Sequence, residues 1–313
     1  MTANPEQIPL TPPPLTSDET VLPPEGGEVH ESTPMWRLAA QTFLANRLAI
    51  AGIAIIVFFV LFCYLGPLFY HTNQLKTDLG ATELPPGPGH PLGTDSSGFD
   101  ELGRIMKGGQ ASLEVGFLTA LIATVLGTLY GAIAGLVGGV VDGLLMRIVD
   151  ILLAIPFLFI VLIVATRVNA TVLSLSVMLG LFSWLVPARL VRGEVLSLRT
   201  RDFVSATRVM GGNRWRVISR HLIPNALGTV MVNVTFQVAD AILAVAILGF
   251  LGFGLNYPQV SWGDMLSDGV TYLLDGYWWL IYPVGICLVL VVMAANFVGD
   301  GLRDAVDVRM RRR

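Results

Sequence analysis

Apolar and polar positions alternate along this chain on the scale of whole segments. Six apolar runs, at residues 48–70, 113–138, 144–166, 171–191, 227–253 and 278–299, are each long enough for the helix of about 20 residues that crosses a bilayer core. Only a few residues around Asp142 separate the second run from the third, so these two form a tight helical hairpin. The pattern predicts an all-α membrane protein with six transmembrane helices.

The polar breaks set the orientation. With the N-terminus inside and alternating crossings, 16 Lys and Arg residues fall on the inner side. The outer side holds 4, namely Lys76, Arg104, Lys107 and Arg167. Positive charge collects on the cytoplasmic side, so both termini and the loop at 189–225 are assigned there. Trp278, Trp279, Tyr277 and Tyr282 suit an aromatic belt at the outer end of the last span. Residues 71–110, rich in Pro and Gly, and 254–276 form the two substantial outer loops.

The inner loop 189–225 holds eight arginines and has a pattern of its own. Phe203, Ala206, Thr207 and Met210 recur at helical spacing. Asp202 suits the start of that helix, and Gly211-Gly212-Asn213 its end. A second short helix follows, with Trp215, Ile218 and Leu222 opposite Arg214, Arg216 and Arg220. Such helices serve either as a lipid-surface element, with arginines on anionic headgroups, or as a face for a cytoplasmic partner.

Composition agrees with a membrane class. The chain is 53% hydrophobic and 14% charged, with a mean hydropathy of +0.67, where a soluble domain carries about 25% charged residues. The net charge of −3 hides a segregation: residues 1–34 hold six acids, eight prolines and no Lys or Arg, which predicts an extended, disordered tail and no secretory signal. Cys63 and Cys287 both sit inside apolar runs and are read as small hydrophobes, not as a disulfide framework. The chain then divides into the tail 1–34, a first span with its outer loop at 35–112, a core transmembrane domain at 113–301 and a basic tail at 302–313.

Several positions inside the runs stand out. Gly127, Gly131, Gly135 and Gly139 recur every four residues, a spacing that lets a second helix backbone approach, either as static packing or as a sliding seam. Pro156 and Pro187 interrupt the third and fourth runs and should kink them. Asp240 lies near the middle of the fifth run with Asn233 and Gln237 close by. A charge at that depth costs about 2.5–3.5 kcal/mol on insertion scales, so Asp240 faces a polar path or a hydrogen-bonding neighbour. Asp142, Arg147 and Asp150 suggest a structural ion pair at the inner turn. His71, His90 and His221 are too scattered for a metal site.

Ser205-Ala206-Thr207, Gly211 and Ile223-Pro224 resemble the EAA loop of bacterial ABC importer permeases. Ser205, Thr207 and His221 depart from it, where Glu, Ala and Ile are usual. His90-Pro-Leu-Gly-Thr-Asp95, Gly98, Asp100, Arg104, Gly108 and Ser112-Leu113 are similar to the C-type subunit of the dipeptide, oligopeptide and nickel branch, with Phe99 and Gly103 as departures. So are Met146-Arg147, Asp150, Ala154, Pro156, Ala241-Ile-Leu, Phe250-Leu-Gly-Phe-Gly254 and Trp262-Gly263. Val245 stands where that branch has Glu, so no acid is carried over there.

The resemblance implies a multi-pass permease of the bacterial cytoplasmic membrane, half of an ATP-driven import channel for short peptides. Arg201, Asp202, Phe203, Ala206, Thr207, Met210 and Gly211 would form the coupling helix, seated on an ATP-binding subunit. Gln237 and Asp240 would line the path. Asp95, Asp100, Arg104 and Trp262 would belong to the extracytoplasmic face. The implied partners are a second homologous permease, one or two ATP-binding subunits, an extracytoplasmic binding protein and the bilayer, with no nucleic acid. The chain has no G-x-x-x-x-G-K-[ST] loop, so ATP and Mg²⁺ would be used by the partner and no cofactor or metal held here. The same machinery importing nickel or another small solute, and a proton-coupled secondary transporter using Asp240, are the alternatives.

Overall fold

The computed structural model describes residues 35–211, 213–217, 220 and 222–311, so the tail 1–34 lies outside the described residues. All regular structure among the described residues is helical. The order is α1 (Met35–Ala45), α2 (Arg47–Phe69), α3 (Glu101–Val137), α4 (Gly139–Leu153), α5 (Phe157–Ala165), α6 (Val172–Ser183), α7 (Leu185–Leu198), α8 (Asp202–Val209), α9 (Arg214–Val217), α10 (Ile223–Phe250), α11 (Trp262–Thr271) and α12 (Tyr282–Arg311). Four stretches, α2, α3, α10 and Trp278–Val306, are long and apolar enough to cross a bilayer. The pairs α4–α5, bent by 75°, and α6–α7, bent by 45°, raise the number to six if each pair is one span.

Local chemistry sets the boundaries. The Asn46 side chain caps α2 by accepting from the Leu48 and Ala49 N–H groups at 3.1 Å, and its amide reaches Asp304 Oδ2 on α12 at 3.2 Å. That bond joins the start of α2 to the far end of α12. Asp100 caps α3 through the Gly103 N–H at 2.9 Å. At the other end of α3, Gly138 and Gly139 take φ of +68° and +59°, a reversal that glycine allows without Cβ strain.

The centre is α3, which packs on α2, α6, α7 and α10. Around one of its ends Phe59, Cys63, Ile105, Ile242, Trp262 and Val284 form a core joining α2, α3, α10, α11 and α12. Around the other, Ala132 and Leu136 of α3 meet Val191 and Val195 of α7, Val204 of α8, Val217 of α9 and Val230 of α10. Cys63 and Cys287 are free thiols.

Three of the four expected seam glycines pack on α7. A Cβ built on Gly127 would lie 2.5 Å from Pro187 Cβ, on Gly131 2.3 Å from the Ala188 carbonyl oxygen, and on Gly135 2.8 Å from Val195 Cγ1. Gly139 does not join them, because α3 has already ended and Gly139 opens α4.

Other boundaries also differ from the sequence pattern. The helix that carries the second run begins at Glu101, ahead of residue 113, because the Asp100 cap starts it well inside the expected outer loop. The expected second outer loop contains α11, fixed by a capping box between Ser261 and Asp264. Residues 35–45 form a separate helix, and residues 302–311 of the expected basic tail continue α12.

The seam yields a test. Gly131→Ala pushes a methyl into a backbone carbonyl and should destabilise the purified protein by about 1–3 kcal/mol. Gly143→Ala, with no described residue from elsewhere in the fold within 4 Å of its Cβ, should be neutral or slightly stabilising. Equal thermal unfolding midpoints for the two variants would contradict the seam.

Candidate functional site

The basic loop grows directly out of α7, and α7 is fastened to its neighbours by the loop's first arginines. The guanidinium of Arg192 donates to both carboxylate oxygens of Asp142 on α4, Nε at 2.5 Å and Nη2 at 2.7 Å. Arg189 pairs with Asp150 on the same helix. Arg199 Nη1 donates to the Gly135 carbonyl of α3 at 3.0 Å. The ion pairing expected within Asp142, Arg147 and Asp150 is thus corrected: both acids are held by α7, and Arg147 is exposed.

Beyond α7 the chain forms α8 and α9. Arg201 is exposed just before α8, and Asp202 is its exposed first residue, where a negative charge suits the helix dipole. The buried side of α8 is Val204 and Thr207, one turn apart, and Val204 enters the core with Val217 and Leu222. Met210 does not share the environment of Thr207, because α8 stops at Val209; Val209 is 89% and Met210 79% exposed. Trp215 is 60% exposed. Gly211, at φ +79°, turns the chain, and no described residue from elsewhere in the fold lies within 4 Å of the position of a Cβ. The side chains of Phe203 and Ala206, and residues Gly212, Ile218 and His221, lie outside the described part of the structure. The loop therefore has an inner side locked to α3, α7 and α10, and an outer surface carrying bulky apolar groups among arginines.

A second feature lies between the broken helices. A cavity of about 380 Å³ is walled by Leu152, Ile155 and Phe157 at the α4–α5 break, Ser183 and Val186 at the α6–α7 break, and Gln237, Asp240, Leu243 and Ile247 of α10. The break at Trp184 follows from Pro187. Proline has no N–H for the carbonyl four residues earlier, which belongs to Ser183. Gln237 Nε2 supplies the missing donor, at 2.8 Å from the Ser183 oxygen. Asp240, one turn further along α10, is exposed and makes no hydrogen bond or ion pair among the described residues. Asn233 is separate from this pair and borders another cavity with Glu194 and Arg303.

The outer-loop residues expected at the extracytoplasmic face are bound into a framework. Asp95 pairs with Arg104 at 3.0 Å, and Arg104 lies over the Phe99 ring. Asp100 accepts from the Tyr70 hydroxyl at 2.9 Å and contacts His90 Nδ1 at 2.9 Å, besides capping α3. Trp262 is fully buried; its indole N–H donates to the Ile105 carbonyl at 3.0 Å and its backbone N–H to Ser112 Oγ at 3.1 Å. Burial pushes the Asp264 carboxyl up from its ordinary value, against hydrogen bonds from Ser261 and the Leu255 N–H that favour its charge. Sequence reasoning had Ser112 only as part of the family motif, and missed Ser261 and Asp264. The Ser-x-x-Asp spacing at 261–264 was the available signal for the last two.

Comparisons with known proteins agree with this architecture. The family model described as binding-protein-dependent transport system inner membrane component matches residues 127–312. That of the N-terminal transmembrane domain of oligopeptide transport permease C matches residues 34–86. The oligopeptide transport system permease protein OppC of Salmonella typhimurium is 41% identical over 283 residues, 90% of this chain and 93% of that protein. The dipeptide transport system permease protein DppC of Bacillus subtilis is 36% identical over 267 residues, 85% of this chain and 83% of that one. Among solved structures, a chain of the MetNI methionine ABC transporter, in an inward-facing conformation, shares the fold with a TM-score of 0.51 at 21% identity, covering 66% of this chain and 96% of that one.

The Gln237–Ser183 bond can be tested by a double-mutant cycle. Gln237→Leu leaves a buried carbonyl without a donor and should cost about 1–3 kcal/mol. Pro187→Ala restores a backbone N–H, so the same Gln237→Leu change should cost clearly less in that background. Equal costs in both backgrounds, read from thermal unfolding in detergent, would refute the compensation.

Proposed function

Because this chain belongs to the family of binding-protein-dependent transport system inner membrane components, we propose that it forms half of the membrane channel of an ATP-driven importer for short peptides. The observation that carries the substrate class is the 41% identity, across 90% of the chain, to a protein named an oligopeptide permease. The chain itself is the membrane subunit; ATP and Mg²⁺ are bound by separate ATP-binding subunits, and a second homologous permease completes the channel. An extracytoplasmic binding protein delivers the peptide to the outer framework of Asp95, Asp100, Arg104 and Trp262.

In this reading each bent pair is one crossing, which makes six, and both termini face the cytoplasm of a bacterial cell with the arginine-rich loop. The joining of Asn46 to Asp304 supports one side for the start of α2 and the end of α12. Residues 201–211 are the coupling element. Val209, Met210 and Trp215 present apolar surface to the ATP-binding subunit, and Val204 and Thr207 anchor the element inward. Closure of two ATP-binding subunits moves α8. The arginine contacts of Arg189, Arg192 and Arg199 carry that motion through α7 to α3 and α4. Gln237 and Asp240 line the path between the broken helices.

The test is reconstitution with the companion subunits in proteoliposomes, where uptake of a labelled tripeptide should require both ATP and the binding protein. Any side chain at Gly211 strains its φ of +79°, so Gly211→Ala serves as the control; Gly211→Arg should likewise still insert and assemble, since no described residue from elsewhere in the fold lies within 4 Å of a Cβ there. It should cut uptake roughly tenfold or more, the loss expected when a buried interface contact is broken. Normal uptake and unchanged ATPase activity in that variant would end the coupling assignment. Absence of ATP-dependent uptake of any short peptide by the unaltered complex would end the substrate assignment.

A further inference from the structure

Resting on the reading of this chain as a peptide permease, we infer that Asp240 binds the protonated amino terminus of the peptide in transit. The cavity between the broken helices has the composition of a ligand site: a volume of about 380 Å³, walls that are mostly aliphatic and aromatic, and few polar groups. Of its polar side chains, Gln237 is already committed to the Ser183 carbonyl. Asp240 is the one charged residue lining it.

Three features turn that acid toward a moving cation. It stands near the middle of α10, a helix long and apolar enough to span a bilayer. An ionised group at that depth faces a cavity or a partner charge. It has no hydrogen bond or ion pair among the described residues of this chain, so it is not glue between these helices. The wall opposite is formed at the 75° and 45° breaks of α4–α5 and α6–α7. Irregular backbone at membrane depth is found where it is buried in protein or lines a water-filled cavity, and discontinuous helices are a recurrent setting for transported solutes.

The chemistry then selects the part of the solute. Peptides of every sequence share two charged groups, an ammonium and a carboxylate, and an anionic site takes the ammonium. The apolar walls offer no fixed hydrogen-bonding pattern for side chains. Asp240 would thus hold the one feature common to all free peptides while leaving their sequence unread. N-blocked peptides and anionic solutes would find no partner there.

The experiment uses the complete complex of permease and ATP-binding subunits in lipid nanodiscs, without binding protein. Affinity is measured by saturation-transfer NMR for trialanine and for propionyl-dialanine, which has the same shape without the ammonium. The unaltered complex should bind trialanine at least about tenfold more tightly, the usual worth of a charge-assisted hydrogen bond. Asp240→Asn should abolish that preference, and Asp240→Glu should retain it. In proteoliposomes with the binding protein, Asp240→Asn should lower trialanine uptake while the ATP-binding subunits remain stimulated. An unchanged preference in Asp240→Asn overturns the inference and leaves the peptide reading standing. Failure of Asp240→Asn to assemble also overturns it, and assigns the acid to contact with the neighbouring permease. If the unaltered complex transports no peptide, the reading beneath it falls as well.

Discussion

Between Gly127 and Gly135 the backbones of α3 and α7 approach so closely that a single methyl on Gly131 would meet the Ala188 carbonyl at 2.3 Å. Hydrocarbon offers no solvent-driven force to press two helices together, so close van der Waals approach is what holds them. The other attachments of α7 depend on that placement. With α7 held there, Arg192 and Arg189 reach the two acids of α4, Arg199 reaches the last turn of α3, and the Ser183 carbonyl comes within range of Gln237. α8 begins where these attachments end, so whatever acts on it acts on a helix bonded to α3 and α4 and packed on α10.

The breaks in α4–α5 and α6–α7 answer a second constraint. A carbonyl freed inside a membrane needs a donor, since none comes from lipid. Pro187 frees one and Gln237 satisfies it, which stabilises the bend and opens space beside it. Gln237 and Asp240 stand three residues apart and hence on one face of α10. The first is consumed by structure and the second remains available. Val245, where the family pattern places an acid, is buried in the core with Leu175 and Leu179. The acid of this chain is at the cavity instead.

Much of this was legible in the sequence. The apolar runs located the helices, because the bilayer imposes length and hydropathy on any crossing. The glycine spacing of four announced the seam at Gly127, Gly131 and Gly135, and the loop motif announced α8. What stayed hidden was partner choice. Asp142 and Asp150 looked as if they would pair with Arg147, their neighbour in sequence, yet they pair with arginines some 40–50 residues away. Met210 looked like part of a helical stripe, but the helix ends one residue before it. Gly139 kept the seam's spacing after the chain had turned. In each instance local periodicity was intact and a tertiary contact or a cap decided the outcome. Trp262 was marked only by family pattern; its place as the first residue of α11, plugged against α2 and α3, follows from packing that no local pattern encodes.

The length of α3 has a further consequence. Its 37 residues span roughly 55 Å, well beyond the hydrocarbon thickness, with no proline inside. One end is bolted to Trp262 of α11, and the other to α7 next to the basic loop. A strut without a joint cannot let its ends move independently. The two aqueous faces of the molecule therefore share one mechanical coordinate, and a tilt imposed at either face is registered at the other.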